Sequence, residues 1–338
     1  MNKNILTDFF LSAVLALSLS SCRSNDSSDP IVKEEPKLLE NYSFQLTGAY
    51  PEGVDYDTKN KRFVISSFNK GIVYTLGIDG KTFAPLINDP HLIAALGVYT
   101  DEENERIIVV SGDAGASEKS GAGGSTAGQV AYAGVYNAKT GALINNVNLK
   151  PLVASGGVFP NDITVDKNGN IYITDSFSPV IYKIDTGYKG SVFVNNSAFS
   201  VSPNAFGLNG IVYHKDGYLI AAHTEKAKLF KISIANGEVS EITGVNDAFK
   251  APDGLEWKGN DLVVIENGLA GGKAHVLSSS NNWGSASKVK EVSIGAAEFP
   301  TTAYAAYNGT VYVLNSYLGK LLGGDKTHAD YQIKGVKL

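Results

Sequence analysis

Phe159-Pro160-Asn161-Asp162-Ile163-Thr164-Val165-Asp166, Lys167-Asn168-Gly169-Asn170 and Ile171-Tyr172-Ile173-Thr174-Asp175-Ser176 follow one another without a break. They read as a polar turn, a strand, a glycine-bearing turn and a second strand. β-Branched and polar residues alternate through both strands, the two-residue period of a sheet with one buried face. The same layout recurs along the chain. Pro51-Glu52-Gly53-Val54 leads to Arg62-Phe63-Val64-Ile65-Ser66, and Leu96-Gly97-Val98-Tyr99 leads to Arg106-Ile107-Ile108-Val109-Val110-Ser111. Leu208-Asn209-Gly210-Ile211 leads to Gly217-Tyr218-Leu219-Ile220-Ala221. Pro252-Asp253-Gly254-Leu255 and Pro300-Thr301-Thr302-Ala303 complete the series, each followed by another strand pattern. Copies roughly 45–50 residues apart, with one wider gap, are the signature of propeller blades.

The expected fold is therefore all-β, a six-bladed β-propeller of four-stranded antiparallel blades. In the fourth blade the pattern predicts strands over 210–214, 218–223, 228–233 and 238–243, with Asp216-Gly217 and Asn236-Gly237 as hairpin turns. A β-sandwich is the rival, but it does not predict six copies of one unit. An extra strand over 42–48 and another over 331–336 are both candidates to close the ring. The segment 112–128 is almost all Gly, Ala and Ser. It is expected to be a mobile insertion on the face of the polar turns, either a lid or a tolerated surface loop.

The N-terminus carries Lys3, an apolar run from Phe9 to Leu19 and then Leu19-Ser20-Ser21-Cys22. A basic start, a short apolar run and small residues form a secretory signal, too short for a bilayer-spanning helix. Small residues before a cysteine resemble a bacterial lipobox, which implies lipidation of Cys22, the only cysteine in the chain. A plain cleaved signal is the alternative. Residues 1–21 are thus expected to be a lipoprotein signal peptide, 22–41 a flexible acidic tether and 42–338 the propeller. The Ser, Asn and Asp run after Cys22 resembles export signals of Bacteroidetes surface lipoproteins, although an ordinary linker has the same composition. The expected location is the cell envelope, held to the membrane through lipid on Cys22 only. A formal net charge of −5 argues against nucleic acid as a partner. No thiol remains for disulfide or catalytic chemistry, and the domain is expected to be a monomer.

First strands of propeller blades line the central channel. Glu52, Leu96, Asn161, Asn209, Asp253 and Thr301 share one register and are expected to ring one channel mouth. Two carboxylates, two amides and a hydroxyl suit a hard divalent cation, Ca²⁺ first, with Mg²⁺, Mn²⁺ or Zn²⁺ as alternatives. No histidine or cysteine belongs to the ring, which disfavours a nitrogen–sulfur zinc site. Each residue taken singly is also an ordinary turn former, Glu52 excepted. Ends of second strands return to the same face, which brings Asp175, His223, Glu266 and Asn315 near the mouth. His223 is the one histidine so placed. Asn161, Thr301 and His223 are candidate substrate contacts.

These motifs, in this order, resemble the SMP-30/gluconolactonase/LRE-like family of six-bladed propellers over about residues 51–321. The resemblance implies one divalent cation held by Glu52, Asn209 and Asp253. It implies that Asp253 also serves as general base or acid, and that Asn161 contacts substrate or metal. Sugar lactonases of the family carry an arginine two residues before the Asn of the Asn-Asp motif, where this chain has Phe159. That departure favours a less polar lactone or ester as the small-molecule substrate, or no catalysis. A non-catalytic envelope module with a structural cation is the second reading. Nothing in the chain carries the catalytic pattern of the strictosidine-synthase-like branch. Gly121-Ala122-Gly123-Gly124 lacks the Lys-Ser/Thr of a phosphate loop.

Overall fold

The computed structural model describes residues 37–245 and 247–338. The signal segment, Cys22 and the tether up to residue 36 lie outside the described residues. Six four-stranded antiparallel sheets make up the compact unit Lys37–Leu338. A strand β1 (Asn41–Gln45) precedes the first blade, which is β2 (Pro51–Asp57), β3 (Arg62–Ser67), β4 (Ile72–Gly77) and β5 (Phe83–Ile87). The second blade is β6 (Ala94–Asp101), β7 (Arg106–Gly112), β8 (Ala131–Asn137) and β9 (Leu143–Asn148). The third is β10 (Pro160–Val165), β11 (Ile171–Asp175), β12 (Val180–Ile184) and β13 (Gly190–Asn195). The fourth is β14 (Leu208–His214), β15 (Tyr218–His223), β16 (Lys228–Ser233) and β17 (Val239–Glu241). The fifth is β18 (Pro252–Lys258), β19 (Asp261–Glu266), β20 (Lys273–Ser278) and β21 (Ser287–Ser293). The sixth contains β22 (Pro300–Ala305), β23 (Thr310–Asn315) and β24 (Asp330–Lys337), with a short α1 (Leu318–Leu322) after β23.

Both terminal strands close the ring. The last sheet runs β1-β24-β23-β22, so the C-terminal strand is its third member and the N-terminal strand its outermost. The sequence left this choice open, and the answer is that each terminus supplies one strand. Aromatic rings lock the closure. Tyr42 of β1 meets Phe63 edge-on at 4.8 Å, and Phe44 stacks on Phe83 at 5.0 Å and on Tyr331 at 5.5 Å.

Each blade packs its apolar face on the next. Between the third and fourth blades lie Tyr172, Ile181, Leu208, Leu219, Ala221 and Phe230, all buried. Hairpin turns are built as their sequences demand. Asp166 Oδ1 accepts from Asn168 N at 2.8 Å and Asn170 N at 3.0 Å, and Gly169 takes φ +83° in the left-handed region that glycine tolerates.

The segment after β7, expected to be a mobile insertion, folds around a fully buried Asp113. Asp113 Oδ1 accepts from Gly115 N and Ser120 Oγ, both at 2.6 Å, and its Oδ2 accepts from Thr126 Oγ1. Ser117 Oγ donates to Asn69 O at 2.8 Å, and Lys119 Nζ to Gly71 O at 2.8 Å, which ties the loop to the turn between β3 and β4. Small residues allow this close approach.

Candidate active site

A β-bulge at the same place in every blade creates the site. Pro51 pairs with Ser67 but Val54 with Ile65, so three steps along β2 match two along β3. Equivalent shifts fall between Ala95 and Val98, Pro160 and Ile163, Leu208 and Ile211, Pro252 and Leu255, and Pro300 and Ala303. The two unpaired residues in each case are the ring member and its successor. A bulge frees a residue from the ladder and re-aims its side chain. Glu52, Leu96, Asn161, Asn209, Asp253 and Thr301 accordingly line one cavity of about 80 Å³.

The successor is glycine in four blades because the next blade comes too close for a side chain. A Cβ on Gly53 would stand 2.7 Å from Leu96 O, one on Gly97 2.7 Å from Asn161 O, one on Gly210 2.3 Å from Asp253 O, and one on Gly254 2.7 Å from Thr301 O. In the third blade the successor is Asp162, whose Oδ2 accepts from Ile211 N at 3.1 Å.

Residues behind the ring fix how its amides face. Ser176 Oγ donates its only proton to Leu208 O at 2.6 Å, so it must accept from Asn161 Nδ2 at 3.0 Å. Thr224 Oγ1 donates to Pro252 O at 2.8 Å and accepts from Asn209 Nδ2 at 3.1 Å. In both cases the amide nitrogen is turned to the hydroxyl and Oδ1 is the atom left for the channel. Asn267 Nδ2 donates to Asp253 Oδ2 at 3.0 Å. Thr301 differs, because its hydroxyl donates to Glu52 O at 2.7 Å and so braces the sixth blade against the first.

The ring is strongly acidic in a dry setting. Burial, with repulsion from Asp253 and Asp162, holds Glu52 well above the usual carboxylate range. Burial pushes Asp253 up to about 7, with hydrogen bonds from Asn267 and Asn209 opposing and repulsion from Asp162 adding to the shift. Asp162, just beneath the ring, is raised to about 6, chiefly by burial. No lysine, arginine or histidine lines the cavity or the smaller chamber below it. Among the described residues no three of His, Cys, Asp and Glu converge as metal ligands. A cation here would therefore need the amide oxygens of Asn161 and Asn209 beside the two carboxylates. That all-oxygen set fits a hard divalent ion and not one that prefers nitrogen and sulfur.

Above the ring the walls are apolar. Phe68, Phe159, Phe206, Phe299, Leu269, Leu318 and Leu322 join Ala114 of the Asp113 loop around the cavity. Phe159 is 2% exposed, stacks on Phe177 at 5.0 Å and meets Phe206 edge-on at 5.9 Å. Leu269 and Leu322 stand at the rim, 65% and 58% exposed.

Four residues named from strand ends do not line the cavity. His223 is wholly buried, with Nε2 3.2 Å from Phe199 O and Nδ1 accepting from Lys226 N at 3.3 Å. Asp175 Oδ1 accepts from Phe159 N, Phe177 N and Ser178 N, and its Oδ2 from Tyr182 Oη. Glu266 accepts from Lys250 N, and Asn315 is buried. In three of these strands the next residue is the one that turns inward: Ser176, Thr224 and Asn267 reach the ring. The missed signal was a constant offset of fourteen or fifteen residues between each ring member and its hydrogen-bond partner.

A family described as SBBP, beta-propeller repeat, matches residues 152–174, a stretch that includes the motif around Asn161. No curated protein sequence matches the chain significantly. Solved structures share the fold. The major allergen Mala s 1 of Malassezia sympodialis superposes with a TM-score of 0.69 at 16% identity, covering 88% of this chain and 96% of its own. A luciferin-regenerating enzyme gives 0.60 at 12% identity, with 88% and 96% covered. A gluconolactonase-like protein gives 0.57 at 13% identity, with 90% and 97% covered. At these identities the likeness is one of fold alone.

Proposed function

We propose that this protein hydrolyses a small lactone or ester of low polarity, using a divalent cation held by Glu52, Asn209 and Asp253, and is a divergent member of the SMP-30/gluconolactonase/LRE-like group. The observation that carries the reading is the ring itself: five of six in-phase bulges deliver side-chain oxygens, two of them carboxylates, beneath an apolar roof. When bound, the cation, Ca²⁺ by preference, would polarise the ester carbonyl and acidify a water.

The residues divide the remaining work. Asp253, beside the cation, serves as general base. It takes a proton from the attacking water and returns it to the leaving alkoxide. Asn267 holds Oδ2 and fixes how the carboxylate faces. Asn161 directs its amide oxygen at the substrate. Thr301 acts by fixing the Glu52 backbone, and His223 has no part in substrate contact. Phe159, Phe206 and Leu318 receive the apolar part of the substrate and keep bulk water away. Cys22 carries the lipid that holds a monomeric domain in the cell envelope.

The test is a panel of esters and lactones offered to metal-stripped protein with Ca²⁺, Mg²⁺, Mn²⁺ or Zn²⁺ added back. Asp253→Asn is expected to lose turnover while keeping the circular dichroism of the parent, and unchanged turnover would remove Asp253 from the chemistry. The second reading, a binding module with a structural cation, is favoured by Leu96 and Phe159 at ring and roof. It predicts cation uptake by calorimetry with no turnover on any ester. Release of the Cys22→Ala protein from the membrane fraction would support the lipid anchor, and retention would refute it.

A further inference from the structure

The bulge has an effect at the other end of the channel. Because it inserts one residue, positions three beyond each ring member face the channel as well. They are Asp55, Tyr99, Thr164, Val212, Glu256 and Tyr304, one from each blade. Together with Tyr56, Tyr213 and Trp257 they line a cavity of about 330 Å³ at the opposite mouth. Asp55, Glu256, Tyr99, Tyr304, Tyr213 and Trp257 are only partly buried there.

Structural duty does not account for the two charges. Asp55 Oδ2 accepts from Thr100 N at 2.6 Å and Glu256 Oε1 from Ala305 N at 3.1 Å, each clipping its blade to the next. Thr164 Oγ1 makes the same clip with Tyr213 N at 3.0 Å and carries no charge. No lysine, arginine or histidine lines this cavity. The charges nearest Asp55 and Glu256 are Glu102, Asp162 and each other, all of one sign. Thr100 is buried and lines the same cavity, with its hydroxyl beside the Asp55 carboxylate. Tyrosine and tryptophan faces attract cations, and do so more strongly where water is excluded.

We infer that this second mouth binds an organic ammonium group, held between the Asp55 and Glu256 carboxylates and caged by the rings of Tyr99, Tyr304 and Trp257. The volume suits a small alkylammonium. Its source is either a free amine or a lysine side chain, and the chemistry is common to both. The assignment is independent of any hydrolase activity, because it uses none of the ring residues.

The test follows Trp257 fluorescence and the tyrosine ring resonances of the whole propeller during titration with tetramethylammonium, n-butylammonium and Nα-acetyl-lysine amide. tert-Butanol is the uncharged control. A saturable response to at least one ammonium probe is expected. Response to the free amines alone assigns the site to a free amine, and response to the lysine derivative alone to a side chain. At about pH 9, where both carboxyl groups are ionised, the double variant Asp55→Asn, Glu256→Gln keeps both oxygen acceptors and removes both charges, and should bind about tenfold more weakly or worse. Glu256→Gln alone serves if the pair fails to fold. Glu52→Gln should leave the response intact. No saturable response to any ammonium, an equal response to tert-butanol, or loss in Glu52→Gln would overturn the assignment.

Discussion

Thr224 decides which atom of Asn209 the channel sees. Its hydroxyl gives its proton to Pro252 O and so can only accept from the amide. Thr224→Val removes both bonds and frees the amide to turn. A cost of about 1–3 kcal/mol is expected from the unsatisfied carbonyl and amide, read by urea denaturation. Weaker Ca²⁺ uptake in calorimetry should accompany it, and Thr224→Ser should restore both. Glu256 gives a second prediction at this scale. Burial and the nearby Asp55 raise it to about 8, so the folded state holds its proton above the pH at which the unfolded chain releases it. Its contribution is complete below about pH 4 and is lost as the pH climbs through about 8. Glu256→Gln should therefore be more stable than the parent at about pH 9 and equal to it at about pH 4. A parallel pH profile for the two proteins would contradict the burial of this charge. The ring residues themselves were legible in the sequence, because turn-like chemistry at one phase in six copies has few explanations. Their partners were not, for a simple geometric reason. A one-residue step in a strand exchanges its two faces, so naming Asp175, His223 and Glu266 selected the inter-blade face and missed Ser176, Thr224 and Asn267.

The bulge is the element on which the site depends, and its glycines carry the cost of close packing. Gly210→Ala would drive a methyl to 2.3 Å from the backbone oxygen of Asp253, which cannot move without moving the Asp253 carboxylate in the ring. A loss of about 1–3 kcal/mol by thermal denaturation is expected. Activity should fall further than stability does, since the displaced atom belongs to the site. Alanine at Gly217, where nothing lies within 4 Å, tests the contrast: only the left-handed φ of +86° opposes it, and activity should persist. In the sequence these glycines read as turn residues ahead of a strand. The segments Pro51–Asp57 and Pro252–Lys258 are instead strand from their first proline onward. Local composition does not separate a turn from a bulge, since both favour Gly and Asn. Strand bounds elsewhere were readable, and 218–223 and 228–233 agree with β15 and β16 to the residue. The roof was not readable. Phe68 and Phe299 come from loops and Leu318 and Leu322 from α1, segments that only ring closure brings together.

At the scale of the molecule, stability depends on one composite blade. Tyr42 is 1% exposed and touches Phe63 and Tyr312 across the seam between first and last blades. Tyr42→Ala should cost about 3–5 kcal/mol in guanidinium denaturation, as for other large aromatic deletions in cores. A smaller loss with an unchanged denaturant slope would mean that the seam is dispensable. The seam also sets a timetable. Gln45 meets Asp330, 285 positions further along the chain, so β1 has no strand partner until nearly all of the polypeptide exists. Contacts this distant in sequence slow folding, because chain entropy is lost before they form. Five blades can assemble as the chain emerges, while the first strand stays unpaired with an edge able to pair with other chains. In the finished ring β24 covers one side of β1 and only its outer side stays open, and the interval before closure is when the protein is most exposed to aggregation and to proteases.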